Sequence, residues 1–133
     1  MLCASMSATV PPILYAVDFS DCDALAGRTP EEIAEKFGSA LLRAGATIVR
    51  RASHNFPGKG LTAVLILSES HAVLHSWPEA GSVNIDIFSC STKLRSLQAI
   101  DELKQYFRAR QVSIQEIARA GERFSPVVTG IDT

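Results

Sequence analysis

Three serines, two glutamates and two of the chain's three histidines crowd into LSESHAVLHSWPEAG, residues 67–81, beside an apolar run. Such a set suggests a metal site, a nucleophile site or a decorated core strand. His71 and His75 have the i, i+4 spacing that brings two imidazoles together on a helix. The surrounding residues are strand-like, however, and four strand residues extend about 13 Å, too far to share one ion. The chain has no H-E-x-x-H, no C-x-x-C pair and no acidic calcium loop, so no metal is expected. A hydrolase serine is not indicated either, because there is no G-x-S-x-G turn. Taken singly, a serine in a turn is ordinarily a turn former, a strand histidine a satisfied core residue and a lone cysteine buried and inert. Any chemistry must come from their joint arrangement.

The elements that must hold this stretch are legible around it. Residues 1–12 read as a flexible leader ending in Pro11-Pro12, and ILYAVDF (13–19) as a first strand. Thr29-Pro30-Glu31-Glu32 combines an N-cap, a proline at the first helical position and a capping-box glutamate. Ile33, Phe37 and Leu41 follow at helical spacing, and Gly45 suits the stop. ATIVRRASHNF (46–56) and LTAVLILS (61–68) read as strands around a PGKG turn; AVLHSW (72–77) and SVNIDIF (82–88) make two more around Pro78-Glu79-Ala80-Gly81. Leu94, Leu97, Ile100, Leu103 and Phe107 predict a second helix with an apolar stripe, and QVSIQEI (111–117) a last strand. The order strand, helix, four strands, helix, strand predicts an α+β fold, a two-layer sandwich whose mainly antiparallel sheet carries both helices on one face.

Composition bounds what such a domain can do. With 133 residues, 47% hydrophobic and 20% charged, the chain suffices for one domain spanning 1–133 with a real core. A net charge of −1 offers no broad basic surface, so nucleic acid is not an expected partner. No apolar segment approaches the roughly 20 residues that span a bilayer, and MLCASMSATVPP lacks a secretory n-region and h-region, so a soluble, cytoplasmic protein without a membrane partner is expected. Cys3, Cys22 and Cys90 are odd in number and widely spaced, which indicates no disulfide framework and at least one free thiol.

The joint arrangement resembles a known family. Glu69-Ser70-His71, His75-Ser76-Trp77-Pro78-Glu79 and Asp86-Ile87-Phe88-Ser89-Cys90 are similar, in order and spacing, to the ESH, H-T-W-P-E and D-x-F-T-C pieces of the prokaryotic S-adenosylmethionine decarboxylase proenzymes. FSDCD (19–23), GATIV (45–49), HNF (54–56) and KGLTAVLILSESH (59–71) extend the similarity over residues 13 to at least 115.

The resemblance implies a self-cleaving pyruvoyl enzyme. The Ser70 hydroxyl would attack the Glu69 carbonyl to give an ester. Removal of the Ser70 α-proton would then expel the Glu69 carboxylate, and the resulting dehydroalanine would take up water and lose ammonia to leave a pyruvoyl group. The chain becomes a β subunit, 1–69, and an α subunit, 70–133. By resemblance, His75 serves proton transfer during processing and Thr62 stands where a family serine assists it. Decarboxylation leaves charge on an α-carbon that no ordinary side chain can delocalise, and a pyruvoyl ketone joined to the substrate amine as an imine acts as the sink. Cys90 matches the proton donor to that carbon, a role that needs an accessible thiol outside any disulfide. Phe56 matches the ring that stacks on adenine and Glu79 the acid that meets the ribose, while Trp77 reads as packing. S-adenosylmethionine is the implied substrate, spermidine synthesis the implied destination of the product, and a homodimer of cleaved protomers with active sites near the interface the implied assembly.

One geometric condition follows. Were 68–77 a single strand, Ser70 and His75 would face opposite sides of it. A bend or bulge is therefore expected near Glu69-Ser70-His71, where it would also strain the peptide to be cut. The chain departs from the family in Ala80 and Ser91, where tyrosine and glycine are usual, and in its first strand. Decarboxylation of arginine or ornithine, or a non-processing binding or regulatory role, therefore stay open beside the leading reading, which the retained Phe56 favours.

Overall fold

A computed structural model describes residues 11–58, 60–90 and 94–119. The order is β1 (Ile13–Cys22), α1 (Pro30–Arg43), β2 (Ile48–Asn55), β3 (Leu61–Leu67), β4 (Ser70–Trp77), a short 3-10 helix (Pro78–Ala80), β5 (Ser82–Ser89), α2 (Ser96–Phe107) and β6 (Ala109–Ala118). The strands form one six-stranded sheet in the order β2-β3-β4-β5-β1-β6, and every neighbouring pair is antiparallel. The two-layer α+β expectation holds. The leader up to residue 10, with Cys3, lies outside the described residues.

Alternation decides which face is covered. Leu61, Ala63, Leu65 and Leu67 of β3, Ala72 and Leu74 of β4, Val83, Ile85 and Ile87 of β5, and Val17 and Phe19 of β1 are all buried. Period-2 burial across neighbouring strands makes a continuous apolar face. Both helices pack on it: α1 buries Ile33, Phe37, Ala40 and Leu41, and α2 buries Ala99, Ile100, Leu103 and Phe107. Removing either of the fully buried Phe19 or Phe37 side chains would cost about 3–5 kcal/mol. The predicted stripe of α2 needs one correction, since Leu97 is 51% exposed. The small Ser96 and Ala99, buried at the helix–sheet contact, allow close approach and turn Leu97 outward.

Local signals set the ends of α1. Thr29 Oγ1 accepts from Glu32 N–H at 3.1 Å while the Glu32 carboxylate accepts from Thr29 N–H at 2.9 Å, the expected capping box. Gly45, at φ 103°, takes the left-handed turn beyond the last helical residue. Glu102 on α2 accepts from Lys36 Nζ at 2.8 Å and from the Arg43 guanidinium, tying the helices together at the surface. The Arg43 hydrogen bond, then that from Lys36, holds the Glu102 carboxyl down at about 2.

No element among the described residues packs on the other sheet face. It displays Thr62, Ile66, His71, His75, Trp77, Asn84, Asp18 and Phe88, with Ile66 48% and Trp77 45% exposed. Among the described residues no helix is long and apolar enough to cross a membrane.

Candidate active site

The predicted residues fall into two groups, one at each end of the β3–β4 hairpin. At the tip, Ser68-Glu69 joins the strands as a two-residue turn, with Ser70 opposite Leu67. Tight hairpin turns need positive φ and are usually built from glycine or asparagine. Here the left-handed residue is Glu69, at φ 69°. A side chain there costs roughly 1–2 kcal/mol. The strained residue is the one whose carbonyl lies in the Glu69–Ser70 peptide.

Register brings a distant sulfur to that carbonyl. Ser70 pairs with Ser89 across β4 and β5, so the residue after Ser89 leaves the strand beside the turn. Cys90 Sγ lies 2.7 Å from the Glu69 carbonyl oxygen, and the Ser70 hydroxyl is turned toward the Ser68 carbonyl at 3.4 Å. Against the expectation of no disulfide, Cys90 is disulfide-bonded. In that form its sulfur has no proton to give, so the donor role expected of it belongs to the reduced thiol. Cys22 is the free cysteine among the described residues; burial, then Asp21 and Asp23, push its thiol up to about 11, which leaves it protonated and inert at neutral pH.

The second group lies at the opposite end. Thr62 and His75 are register partners on the open face, and Thr62 Oγ1 sits 2.8 Å from His75 Nδ1. This bond fixes the ring and leaves Nε2 for proton transfer. Both line a cavity of about 470 Å3 together with Phe56, Gly60, Trp77 and Glu79. Phe56 follows β2, where its N–H donates to Gly60 at 2.7 Å, and its ring is half exposed with His54 at its edge, 4.5 Å between centroids. The PEA turn after β4 sets Glu79 at the rim, and Gly81 closes that turn at φ 64°.

The bend expected near Glu69-Ser70-His71 is present but lies at Ser68-Glu69, upstream of Ser70. From Ser70 onward β4 is uninterrupted and its burial alternates. Ser70 therefore shares the helix-side parity of Ala72 and Leu74, whereas His75 is on the open face, five residues or about 16 Å along. The turn does not bring Ser70 and His75 together within one chain, which corrects the reason the bend was expected. His71 stacks on Phe88, 5.3 Å between centroids, apart from both groups. Trp77 was expected to pack; it lines the cavity instead. The strand parity it shares with His75 was the available signal.

The chain is similar in sequence and in fold to known proteins. The family model described as S-adenosylmethionine decarboxylase matches residues 14–120. The "S-adenosylmethionine decarboxylase proenzyme" of Acidithiobacillus ferrooxidans is 34% identical over 102 residues, 77% of this chain and 77% of that one. The protein of the same name from Thermotoga maritima is 33% identical over 102 residues, 77% of this chain and 78% of the other. The crystal structure of the adenosylmethionine decarboxylase from Aquifex aeolicus VF5 superposes with a TM-score of 0.75 at 24% identity, covering 87% of this chain and 97% of that one, and so shares the fold. With four-fifths of its length matched by the family model and relatives 34% identical over 77% of the chain, the chain belongs to the S-adenosylmethionine decarboxylase family.

Proposed function

We propose that this protein cleaves itself at Glu69–Ser70 and, in its processed form, decarboxylates S-adenosylmethionine to the aminopropyl donor used in spermidine synthesis. The observation that carries the reading is the left-handed Glu69 at the hairpin tip, with a cysteine sulfur 2.7 Å from its carbonyl. A peptide held away from its preferred conformation gives up part of that strain when its nitrogen departs. The Ser70 hydroxyl, one residue on, is the nucleophile adjacent to that carbonyl. The rearrangement leaves a pyruvoyl group at position 70, whose ketone supplies the electron sink for the departing carboxyl group.

The chain's own residues would do the rest. Reduced Cys90, beside position 70, holds the proton for the α-carbon. The Phe56 ring offers a face to adenine, Glu79 an acceptor to a ribose hydroxyl, and the Phe56–Trp77 walls an electron-rich surround for a sulfonium cation. Those walls favour the nucleoside substrate over arginine or ornithine.

The separation of the two groups supports a homodimer with composite sites. In a two-fold pair every contact between one surface and another occurs twice, so the tip of one hairpin can meet the Thr62–His75 end of the partner in two equal places. The open sheet face, with Ile66, Trp77 and Ile117 at least 40% exposed, offers apolar area for that pairing.

Mass spectrometry tests the cleavage. Two fragments meeting at Glu69 and Ser70 support the reading; a persistent 14.3 kDa chain supports the non-processing alternative. Release of labelled carbon dioxide from S-adenosylmethionine, and not from arginine or ornithine, under reducing conditions supports the substrate. Co-expression of Ser70→Ala with His75→Ala chains tests the dimer: partial cleavage in the mixture, absent from either alone, is expected from composite sites and impossible if each chain is complete by itself.

A further inference from the structure

Trp77 does not stand alone on the open face. Its Nε1–H donates to Asn84 Oδ1 at 2.6 Å, and Asn84 Nδ2 donates to Asp18 Oδ1 at 2.7 Å. The chain of bonds crosses three strands. Asn84 is the register partner of Asp18 on β1 and of His75 on β4, so Trp77, two residues beyond His75, reaches it diagonally.

The direction of this chain is locked at both ends. Indole nitrogen is a donor only and an ionised carboxylate an acceptor only, so the amide between them has one workable orientation. Turning the amide over would set its NH2 against the indole N–H and its oxygen against the carboxylate. Asp18 thus fixes Asn84, and Asn84 fixes the indole. The last bond ends on an ionised group and is the stronger kind. Trp77 and Asp18 are exposed and Asn84 is half-buried, so these bonds contribute much of their order. An indole 45% exposed, with the His75 ring tilted beside it at 6.4 Å between centroids, is held as one wall of the 470 Å3 cavity, which Phe56, Thr62, His75 and Glu79 also line.

We propose that Asp18 and Asn84 are positioning residues that act through Trp77: they hold the indole as a preformed cavity wall and thereby set the affinity for substrate. The assignment rests on the cavity being the substrate site. Neither residue touches the Glu69–Ser70 peptide, so self-cleavage and the chemical step are independent of them.

Trp77 is the chain's one tryptophan, so its emission reports the wall directly. We would measure indole fluorescence anisotropy, extent of self-cleavage, and KM and kcat for S-adenosylmethionine in Asn84→Ala, Asp18→Ala, Asp18→Asn and the double Asn84→Ala/Asp18→Ala protein. One lost hydrogen bond of this kind corresponds to about a three- to tenfold rise in KM. That rise is expected in both alanine variants, together with lower anisotropy and unchanged kcat and cleavage. The double variant should match Asn84→Ala, because the two residues form one chain of bonds. Asp18→Asn, which keeps an acceptor at Oδ1 but loses the charge, should fall between wild type and Asp18→Ala in both anisotropy and KM. Unchanged anisotropy and KM in Asn84→Ala would overturn the proposal, as would additive losses in the double variant. A raised KM with unchanged anisotropy in Asp18→Asn would also overturn it, since the Asp18 charge would then act on substrate directly. Should wild-type protein neither cleave nor turn over the substrate, the functional reading fails separately, and the anisotropy of Asn84→Ala still decides whether the bonds hold the indole.

Discussion

The two ends of the β3–β4 hairpin are built on different principles. At the tip the distinctive feature is backbone: a glutamate in a glycine conformation, a carbonyl beside a sulfur, and a hydroxyl one residue on. At the open end the distinctive feature is side chains, with a threonine–histidine bond, two aromatic rings and a carboxylate around a cavity, and the left-handed position in the turn after β4 is a glycine, Gly81. On the proposed reading, bond breaking would belong where the chain is held off its minimum, and recognition where strands and the turns beside them display side chains. The strained carbonyl and the sulfur are at one end only, the histidine–threonine pair and the aromatic walls at the other.

The largest effect expected is from Ser70→Ala, which should abolish both cleavage and turnover while the chain stays folded, checked by intact mass and carbon dioxide release. Cleavage without Ser70 would break the division at once. Cys90→Ala should cleave yet lose about 100-fold or more in turnover, the usual worth of a positioned acid, and wild-type turnover should likewise need a reductant that frees Cys90. At the other end, Thr62→Ala should slow cleavage about tenfold through a loosened His75, while Thr62→Ser keeps the hydroxyl and most of the rate, followed by gel analysis of the time course.

Glu69→Gly sharpens the comparison from the tip. Relief of the left-handed side chain should stabilise the Ser70→Ala protein by about 1 kcal/mol in thermal unfolding, and in the parent chain the same change should slow cleavage. Smallest is Glu102→Gln, remote from both ends, expected to cost about 0.5–1 kcal/mol and to leave cleavage untouched. Because the folded carboxyl is held below its ordinary 4.5, its contribution is full above about pH 4.5 and disappears as pH falls toward 2. Denaturation midpoints of the two proteins should converge over that range.

The fold was legible because its signals are local. The box at Thr29–Glu32, the alternating leucines of β3 and the Pro78–Gly81 turn each follow from neighbouring residues. Position 90 was legible as chemistry but not as a neighbour of Glu69, since that depends on Ser70 meeting Ser89, a register no single strand encodes. The displaced bend is similar: Ser68-Glu69 lacks the glycine or asparagine by which a tight turn announces itself, so local signals start the strand at Ala72 and the structure starts it at Ser70. Asn84 and Asp18 were invisible for the same reason. They matter only as a pair across β1 and β5, and each alone is an ordinary polar residue in a strand.

The sheet order has a consequence for what becomes of the pieces. A scission after Glu69 would assign β1, β2 and β3 to one product and β4, β5 and β6 to the other, yet β1 lies between β5 and β6. The fragments would be woven through each other like interlaced fingers, joined along three strand seams and by the Glu102 clamp between their helices. Maturation would then change the covalent count without changing the body, and the halves should part only when the whole sheet melts.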